Sequence, residues 1–309
     1  MEDILNIYLP IAATQVNVIY LLLISIAAGT IVGTFGLGGG IIMVPVLTFL
    51  GIPTKVAVAS VTNLITASSF SGYLAYAKRN RIDYILGLLL LSGGIAGVFL
   101  GILLFNYLSY LGKIDFVISI IFIILLSALS VITATDSLLI LYRKVRKIDK
   151  KAKVLQQTDI KNSGFIISLP SSKYPVHIFA PILVGVVGGI LVSMLGIGGS
   201  IIMIPAMIYI LRVSDGFTAG TAHLQMIFTS IIATVLHGIS SNSLDIVLTF
   251  IMILGNVMGV QVGVRVASRF RPDYYRVILA AIIMALCFKV AHNLFAVPTQ
   301  PYTIERKSG

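Results

Sequence analysis

The sequence predicts an all-α integral membrane protein built from two inverted repeats of about five helical segments each. Three observations predict this class. Hydrophobic residues make up 58% of the 309 residues, charged residues only 11%, and mean hydropathy is +1.03. A glycine phrase occurs twice, as Gly36-Leu-Gly-Gly-Gly-Ile-Ile-Met-Val-Pro45 and as Gly196-Ile-Gly-Gly-Ser-Ile-Ile-Met-Ile-Pro205. The basic loops also follow different segments in the two halves, which is the pattern of inverted repeats.

Composition places the chain in a lipid bilayer, because apolar runs of about 20 residues recur along its length. The net charge of +11 then fits the positive-inside bias of membrane loops, and no nucleic acid partner is expected. Cys287 is the only cysteine, so the sequence allows no disulfide within the chain. Glu2 and Asp3 stand where a signal peptide would carry basic residues, so a cleaved signal is not expected.

Ten apolar segments follow one another, and two of them are short. The short ones come directly after the glycine phrases and span only about half of a bilayer core of roughly 30 Å. Each is expected to pair with the segment before it in a Gly-broken helical hairpin, giving eight full spans plus two hairpins. Two full crossings by tilted helices, giving up to ten spanning segments, is the alternative. The predicted segments are 18–35, 41–50, 56–77, 84–105, 114–133, 178–195, 201–211, 217–237, 245–265 and 275–295.

The repeat extends beyond the glycine phrases and defines the domain organisation. Ala59–Leu64 aligns with Ala219–Leu224 at an offset of 160, and two rows of glycines align at an offset of 162. We therefore expect a first transmembrane repeat over 1–137, a basic cytoplasmic linker over 138–176 and a second transmembrane repeat over 177–309. Loop charges place 78–82, 134–176 and 266–274 in the cytoplasm of a multi-pass protein of the cell (inner) membrane.

The glycine phrases predict an anion site. A chain break at membrane depth must line a cavity enclosed by protein, and the first amides of the following helix point into it with a partial positive charge. Close helix packing is the competing interpretation of these glycines. A valine at Gly39 or Gly199 is expected to strain the turn. The predicted substrate-binding residues of the two breaks are Gly36, Gly38, Gly39, Gly40, Gly196, Gly198, Gly199 and Ser200.

Polar side chains inside spanning segments add candidates for the cavity lining. Asn63, His223 and Gln225 are the main ones, and Asn256 and Gln261 are weaker ones. Two aspartates at segment starts, Asp83 and Asp245, are expected to cap their helices. The glycine rows 93, 97, 101 and 255, 259, 263 are expected to pack helices closely. No carboxylate lies in the middle of a segment and no metal-ligand spacing occurs, so neither a catalytic residue, a metal nor another cofactor is expected.

With these motifs in view, the chain resembles the TauE/SafE family of sulfite exporters from about Leu22 to Leu294. The most similar stretches are Gly36–Pro45, Val58–Ser69, Gly196–Tyr209, Gly220–Gln225 and Val235–Asp245. The resemblance implies transport of sulfite or a small organosulfonate. Tyr76 stands where relatives often carry a histidine, His237 keeps the histidine of the second repeat, and His223 stands at a commonly apolar position.

The leading hypothesis is therefore a secondary transporter, not an enzyme, that exports a small sulfur oxyanion bound between the two breaks. A carrier of another small anion, such as thiosulfate or a carboxylate, is the alternative within transport. A membrane scaffold or assembly factor that docks through the basic linker is the alternative from another class, and an intramembrane enzyme has the least support. A homo-oligomer is compatible with the sequence.

Overall fold

The computed structural model describes residues 6–35, 40–145, 166–167, 171–172, 175–267, 281 and 283–292. Each of the ten predicted segments corresponds to a helix, which confirms the all-α class. Four short strands, which were not predicted, and a π-helical turn at His237–Ser241 complete the described elements. The strands are β1 Asn6–Leu9, β2 Thr14–Asn17, β3 Ile166–Ile167 and β4 Val176–His177. The helices are α1 Val18–Phe35, α2 Gly40–Phe49, α3 Thr54–Ala77, α4 Tyr84–Tyr110, α5 Ile114–Val145, α6 Phe179–Leu195, α7 Ser200–Tyr209, α8 Asp215–Leu236, α9 Ile246–Ala267 and α10 Ile283–His292.

Four stretches of helix are long and apolar enough to cross a membrane: Tyr84–Tyr110, Ile114–Val131, Gly216–Ser241 and Ile246–Gly263. Shorter apolar stretches, including Val18–Ile31 and Phe179–Leu195, accompany them. The backbone of α5 continues as helix to Val145, so it enters the stretch predicted as linker. Residues 146–165 of that stretch lie outside the described residues.

Helices of the two halves exchange partners. The first helix of each repeat packs along the fourth helix of the other, so that α1 lies against α9 and α6 lies against α4. The glycine rows make both contacts. A Cβ atom on Gly97 would overlap the carbonyl of Val186, and one on Gly259 would overlap the carbonyl of Ile26. Since residues 26 and 186 are equivalent at the offset of 160, the two contacts correspond, and the predicted packing role of the glycine rows is confirmed.

The third helices of the repeats, α3 and α8, pack against each other at the centre. The Thr66 and Ser230 hydroxyls lie 2.8 Å apart, and Gly72 lies against the ring of His223. Later residues of α3 thus meet earlier residues of α8, so the two equivalent helices run antiparallel. Antiparallel equivalent helices agree with inverted repeats; how the pair lies relative to a membrane stays a prediction.

Each repeat begins with a small β-hairpin. Asn6 pairs with Asn17, and 160 residues later Ile166 pairs with His177. The second hairpin therefore repeats the first in position and register, and it lies within the stretch expected to be linker.

Asp83 and Asp245 cap α4 and α9 as predicted, and they also hold the hairpins. One oxygen of each carboxylate accepts a hydrogen bond from a backbone amide of its own helix, at 3.0 Å from Leu86 and at 3.1 Å from Leu248. The other oxygen accepts from the hairpin of the opposite repeat. The amide of Ile11 donates to Asp245 at 3.2 Å, and the amide and hydroxyl of Ser171 donate to Asp83 at 3.2 and 2.6 Å. Residues 11 and 171 are again 160 apart.

In the second repeat, α6 and α7 form the predicted helical hairpin. Gly199, just before α7, lies against Gly188 of α6, and Met203 of α7 also contacts Gly188. After α7, Val213 forms a β-bridge with Ser172, which precedes α6. The chain therefore enters and leaves this hairpin at the same end of the molecule.

Candidate functional site

The two glycine phrases, 160 residues apart, meet in the structure. Gly40 is buried at the start of α2, and a Cβ atom there would overlap the carbonyl carbon and oxygen of Gly196. The same atom would lie 3.0 Å from the Cα of Ile197. We call this meeting of Gly40 with Gly196 and Ile197 the glycine contact. Gly36, Gly38 and Gly39 of the first phrase lie outside the described residues.

The break between α6 and α7 turns at Gly196. This residue has φ of 62°, in the left-handed region, and its amide donates to the Val192 carbonyl at 3.1 Å. A Cβ there would lie 3.0 Å from the carbonyl oxygen of Val58 on α3. Gly199 has φ of −57°, which any residue adopts. A side chain at Gly199 would therefore not strain its own φ but would crowd Gly188, whose Cα and carbonyl oxygen lie 3.3 Å from the place of a Cβ, whereas Gly196 needs glycine for its own φ.

Helix α7 starts beside the glycine contact. Its first residue, Ser200, is fully buried, as are Gly198 and Gly199 before it. The amides of Ile202 and Met203 both donate to the Gly199 carbonyl, at 3.2 and 2.9 Å. The amides ahead of them belong to the first helical turn, where an α-helix offers no acceptor of its own. With ten residues, α7 directs the positive end of its dipole toward the contact.

Gln225 lies close to the start of α7. Its Nε2 is 3.9 Å from the place that a Cβ on Gly188 would occupy, and the corresponding place on Gly199 lies 3.3 Å from Gly188. The side chain is fully buried, and neither Nε2 nor Oε1 has a hydrogen-bond partner among the described residues. A buried carboxamide with both polar ends unpaired costs stability and is a candidate for binding a polar ligand.

The structure does not bring His223 to the glycine contact. Its Nδ1 lies 2.6 Å from the Ala219 carbonyl of the same helix, its ring centroid lies 5.8 Å from that of Tyr76, and it packs on Gly72. Gly72 is 14 residues beyond Val58 on α3, about 21 Å along the helix axis. His223 therefore belongs to the α3–α8 packing.

The remaining polar candidates separate by burial. Asn63 is half-buried on α3, between Val58 at the break and Thr66 at the α3–α8 hydrogen bond. Asn256 is fully buried with both amide atoms unpaired among the described residues, whereas Gln261 is exposed. No group of three or more metal-ligating side chains occurs in the described part of the chain.

The second bond of each capping aspartate was not evident from the sequence. The Asp83–Ser171 and Asp245–Ile11 contacts join the fourth helix of one repeat to the hairpin before the first helix of the other. The signal was weak, because residues 11 and 171 differ in type and share only their offset.

Comparison with known proteins supports the membrane function. The family model described as the sulfite exporter TauE/SafE matches residues 21–290. A probable membrane transporter, YunE of Bacillus subtilis (strain 168), is 27% identical over 292 residues, covering 90% of this chain and 99% of the relative. A second protein of that organism with the same description, YjnA, is 26% identical over 275 residues, covering 87% and 98%. No solved structure gives a significant match. Together with the helical architecture, these matches show that the chain belongs to the TauE/SafE sulfite exporter family and is a multi-pass membrane transporter of a small anion rather than an enzyme.

Proposed function

We propose that the protein carries a small sulfur oxyanion, sulfite or a small organosulfonate, across the cell membrane. The anion binds at the glycine contact, between the starts of α2 and α7. The observation that carries the proposal is the meeting of Gly40 with Gly196, because it brings the start of α2 to the chain break that precedes α7, in the protein interior.

The charge available at this place suits a carrier. Lys and Arg are absent from the middle of segments one to three and six to eight. The attraction for an anion therefore comes from helix dipoles and backbone amides, each terminus contributing about 0.3–2 kcal/mol. Such a site binds a monoanion weakly enough to release it on the other side of the membrane. The buried Gln225 carboxamide adds donors beside the start of α7.

Flux into proteoliposomes tests the substrate class. Purified full-length protein is reconstituted, and uptake of labelled sulfite is measured with and without excess thiosulfate, ethanesulfonate or acetate. We expect sulfite uptake above that of protein-free vesicles, competed by ethanesulfonate and not by acetate. Acetate uptake without sulfite uptake would instead establish the alternative, a carboxylate carrier.

The linker belongs to the same proposal. From its basic residues we expect 134–176 in the cytoplasm, and we assign no docking function to it. Deletion of residues 150–165 leaves the hairpin at Ile166 and its bond to Asp83 in place, so transport should survive this deletion. Loss of transport in a correctly inserted deletion variant would favour the scaffold function instead.

A further inference from the structure

Two carboxamides in this chain are fully buried with every polar atom unpaired among the described residues: Gln225 on α8 and Asn256 on α9. Each unpaired buried polar group costs roughly 1–3 kcal/mol. A transporter can retain such an unpaired group where a bound ligand supplies the missing hydrogen bonds. Gln225 already belongs to the proposed site. The sequence pattern gave Asn256 only weaker support as a residue of the cavity lining.

The position of Asn256 follows from the exchanged helix packing. A Cβ on Gly189 of α6 would overlap the carbonyl of Gly94 on α4, and a Cβ on Gly29 of α1 would overlap the carbonyl of Asn256 on α9. Residues 29 and 189 are 160 apart, and residues 94 and 256 are 162 apart. Asn256 therefore occupies in one half of the molecule the place that Gly94 occupies in the other.

That equivalence brings the two carboxamides into corresponding places. A Cβ on Gly94 would overlap Nε2 of Gln225, so α4 leaves room there for the side chain from α8. At the offset of 160, Gln225 corresponds to Ile65 of α3, which is fully buried and apolar. Beside α6 the two positions are occupied by Gly94 and Gln225. The corresponding positions on α9 and α3 are occupied by Asn256 and Ile65. One carboxamide therefore lies on a helix packed against α1 and the other lies beside α6, and the two come from different helices, α9 and α8.

The hydrogen-bonding groups of a carboxamide limit which anions can pair with all of its polar atoms. Helix starts offer only N–H donors, but a carboxamide offers two donors and one acceptor oxygen. A fully deprotonated anion leaves that oxygen unpaired. An anion with its own O–H or N–H beside the charged oxygens pairs both ends.

We propose that Asn256, packed against α1, binds substrate as Gln225 does beside α6, and that this pair selects monoanions that carry their own hydrogen-bond donor. Hydrogensulfite and hydroxyl-substituted sulfonates form this class. The inference rests on the proposed function and names the substrate class of the same site.

Matched anions test the selectivity in the full-length protein. 2-Hydroxyethanesulfonate and ethanesulfonate differ by one hydroxyl, and their competition against labelled sulfite is compared in proteoliposomes. We expect the hydroxylated anion to compete at least about tenfold better, because a site built to pair a donor rejects the analogue without it. Asn256→Leu should lose this preference. Asn106→Leu is the control, since the Asn106 Oδ1 accepts from Ser241 at 3.0 Å at the far end of α4, and it should keep the preference.

Thermal unfolding in detergent provides a second measurement. Because Asn256→Leu removes unpaired polar atoms, the melting temperature should rise or stay constant while transport falls. A clear fall in melting temperature would show that Asn256 is a structural residue and would overturn the inference. It would also be overturned if wild type carries sulfite and Asn256→Leu matches Asn106→Leu in rate and preference. If wild type carries no sulfur anion at all, the proposed function fails, and the inference that rests on it fails with it.

Discussion

A hydrogen atom in place of a side chain lets Gly40 rest on the carbonyl group of Gly196. Adding one methyl group at Gly40 would bring its carbon into overlap with that carbonyl, and backbone atoms cannot rotate away as a flexible side chain can. We expect Gly40→Ala to separate the starts of α2 and α7 and to abolish sulfite uptake in proteoliposomes. Insertion should persist, because the change adds only an apolar methyl group.

A matched control for Gly40→Ala is available in α8. Gly216 is a helical glycine where an added Cβ would meet no atom within 4 Å. Gly216→Ala should therefore leave transport intact and stabilise the helix by up to about 1 kcal/mol. Wild-type uptake by Gly40→Ala at equal protein density would show that the glycine contact is not the transport site.

At this residue scale, the sequence pointed to candidate positions but did not indicate their backbone conformations or contacts. Repetition of the phrase was enough to select Gly196, Gly199 and Ser200 together. The left-handed φ of Gly196 and the ordinary φ of Gly199 depend on how α6 ends against Val58, a contact that no local pattern encodes. The packing of His223 against α3 was hidden for a similar reason, since a polar residue on a spanning helix gives no direction toward a cavity or toward a neighbouring helix.

At the scale of elements, Asp83 and Asp245 join each fourth helix to a hairpin of the other repeat. Removing an N-cap carboxylate costs about 0.5–2 kcal/mol, and here the hairpin bond is lost as well. We expect both Asp83→Ala and Asp245→Ala to lower the melting temperature in detergent. Asp83→Ala should do so more, because among the described residues the Asp83 carboxylate accepts from three donors and the Asp245 carboxylate from two.

Asp115 provides the comparison for these variants. It stands in the first turn of α5 and is exposed, so Asp115→Ala should change the melting temperature little. Equal effects of all three substitutions would mean that the hairpin bonds contribute nothing to stability.

Most helices were predictable to within about five residues, because apolar length and the aspartate caps are local signals; α5 is the exception, since it continues from the predicted end at 133 to Val145. The β-hairpins were not, since strands of two to four residues carry too little periodicity to stand out beside a basic, polar stretch. Partner choice was also hidden. The glycine rows predicted close helix packing. Which helix packs against each row becomes evident only in the assembled structure of both repeats.

At the scale of the whole molecule, the loop charges predict how the chain lies in the membrane. We expect loops 78–82, 134–176 and 266–274 in the cytoplasm and the first hairpin outside. On a Cys287→Ser background, a membrane-impermeant thiol reagent added to intact cells should label Tyr8→Cys, an exposed position of β1. It should label Ile160→Cys only after the membrane is opened. Labelling of Ile160→Cys in intact cells would contradict the arrangement.

The contacts described above support inversion without reference to charge. Gly220 at the start of α8 lies against the carbonyl of Arg81 in the loop before α4, whereas His237 at the end of α8 contacts Phe105 near the end of α4. The equivalent corners of the two repeats, one before α4 and one before α9, are therefore separated by the length of α8.

The exchange of helices between repeats has a consequence for biosynthesis. As the chain emerges from the ribosome, α1 enters the bilayer long before its partner α9 is made. Helix α4 likewise precedes its partner α6 by the time needed to synthesise α5 and the linker. The close glycine surfaces of both early helices must remain unmatched in lipid during that interval, as long-range contacts form last. Neither repeat contains the partners it needs, so the first half of the chain is not a folding unit. We expect the molecule to become stable only after the second repeat has been synthesised. In this respect it is like a dimer whose two subunits have been joined into one chain.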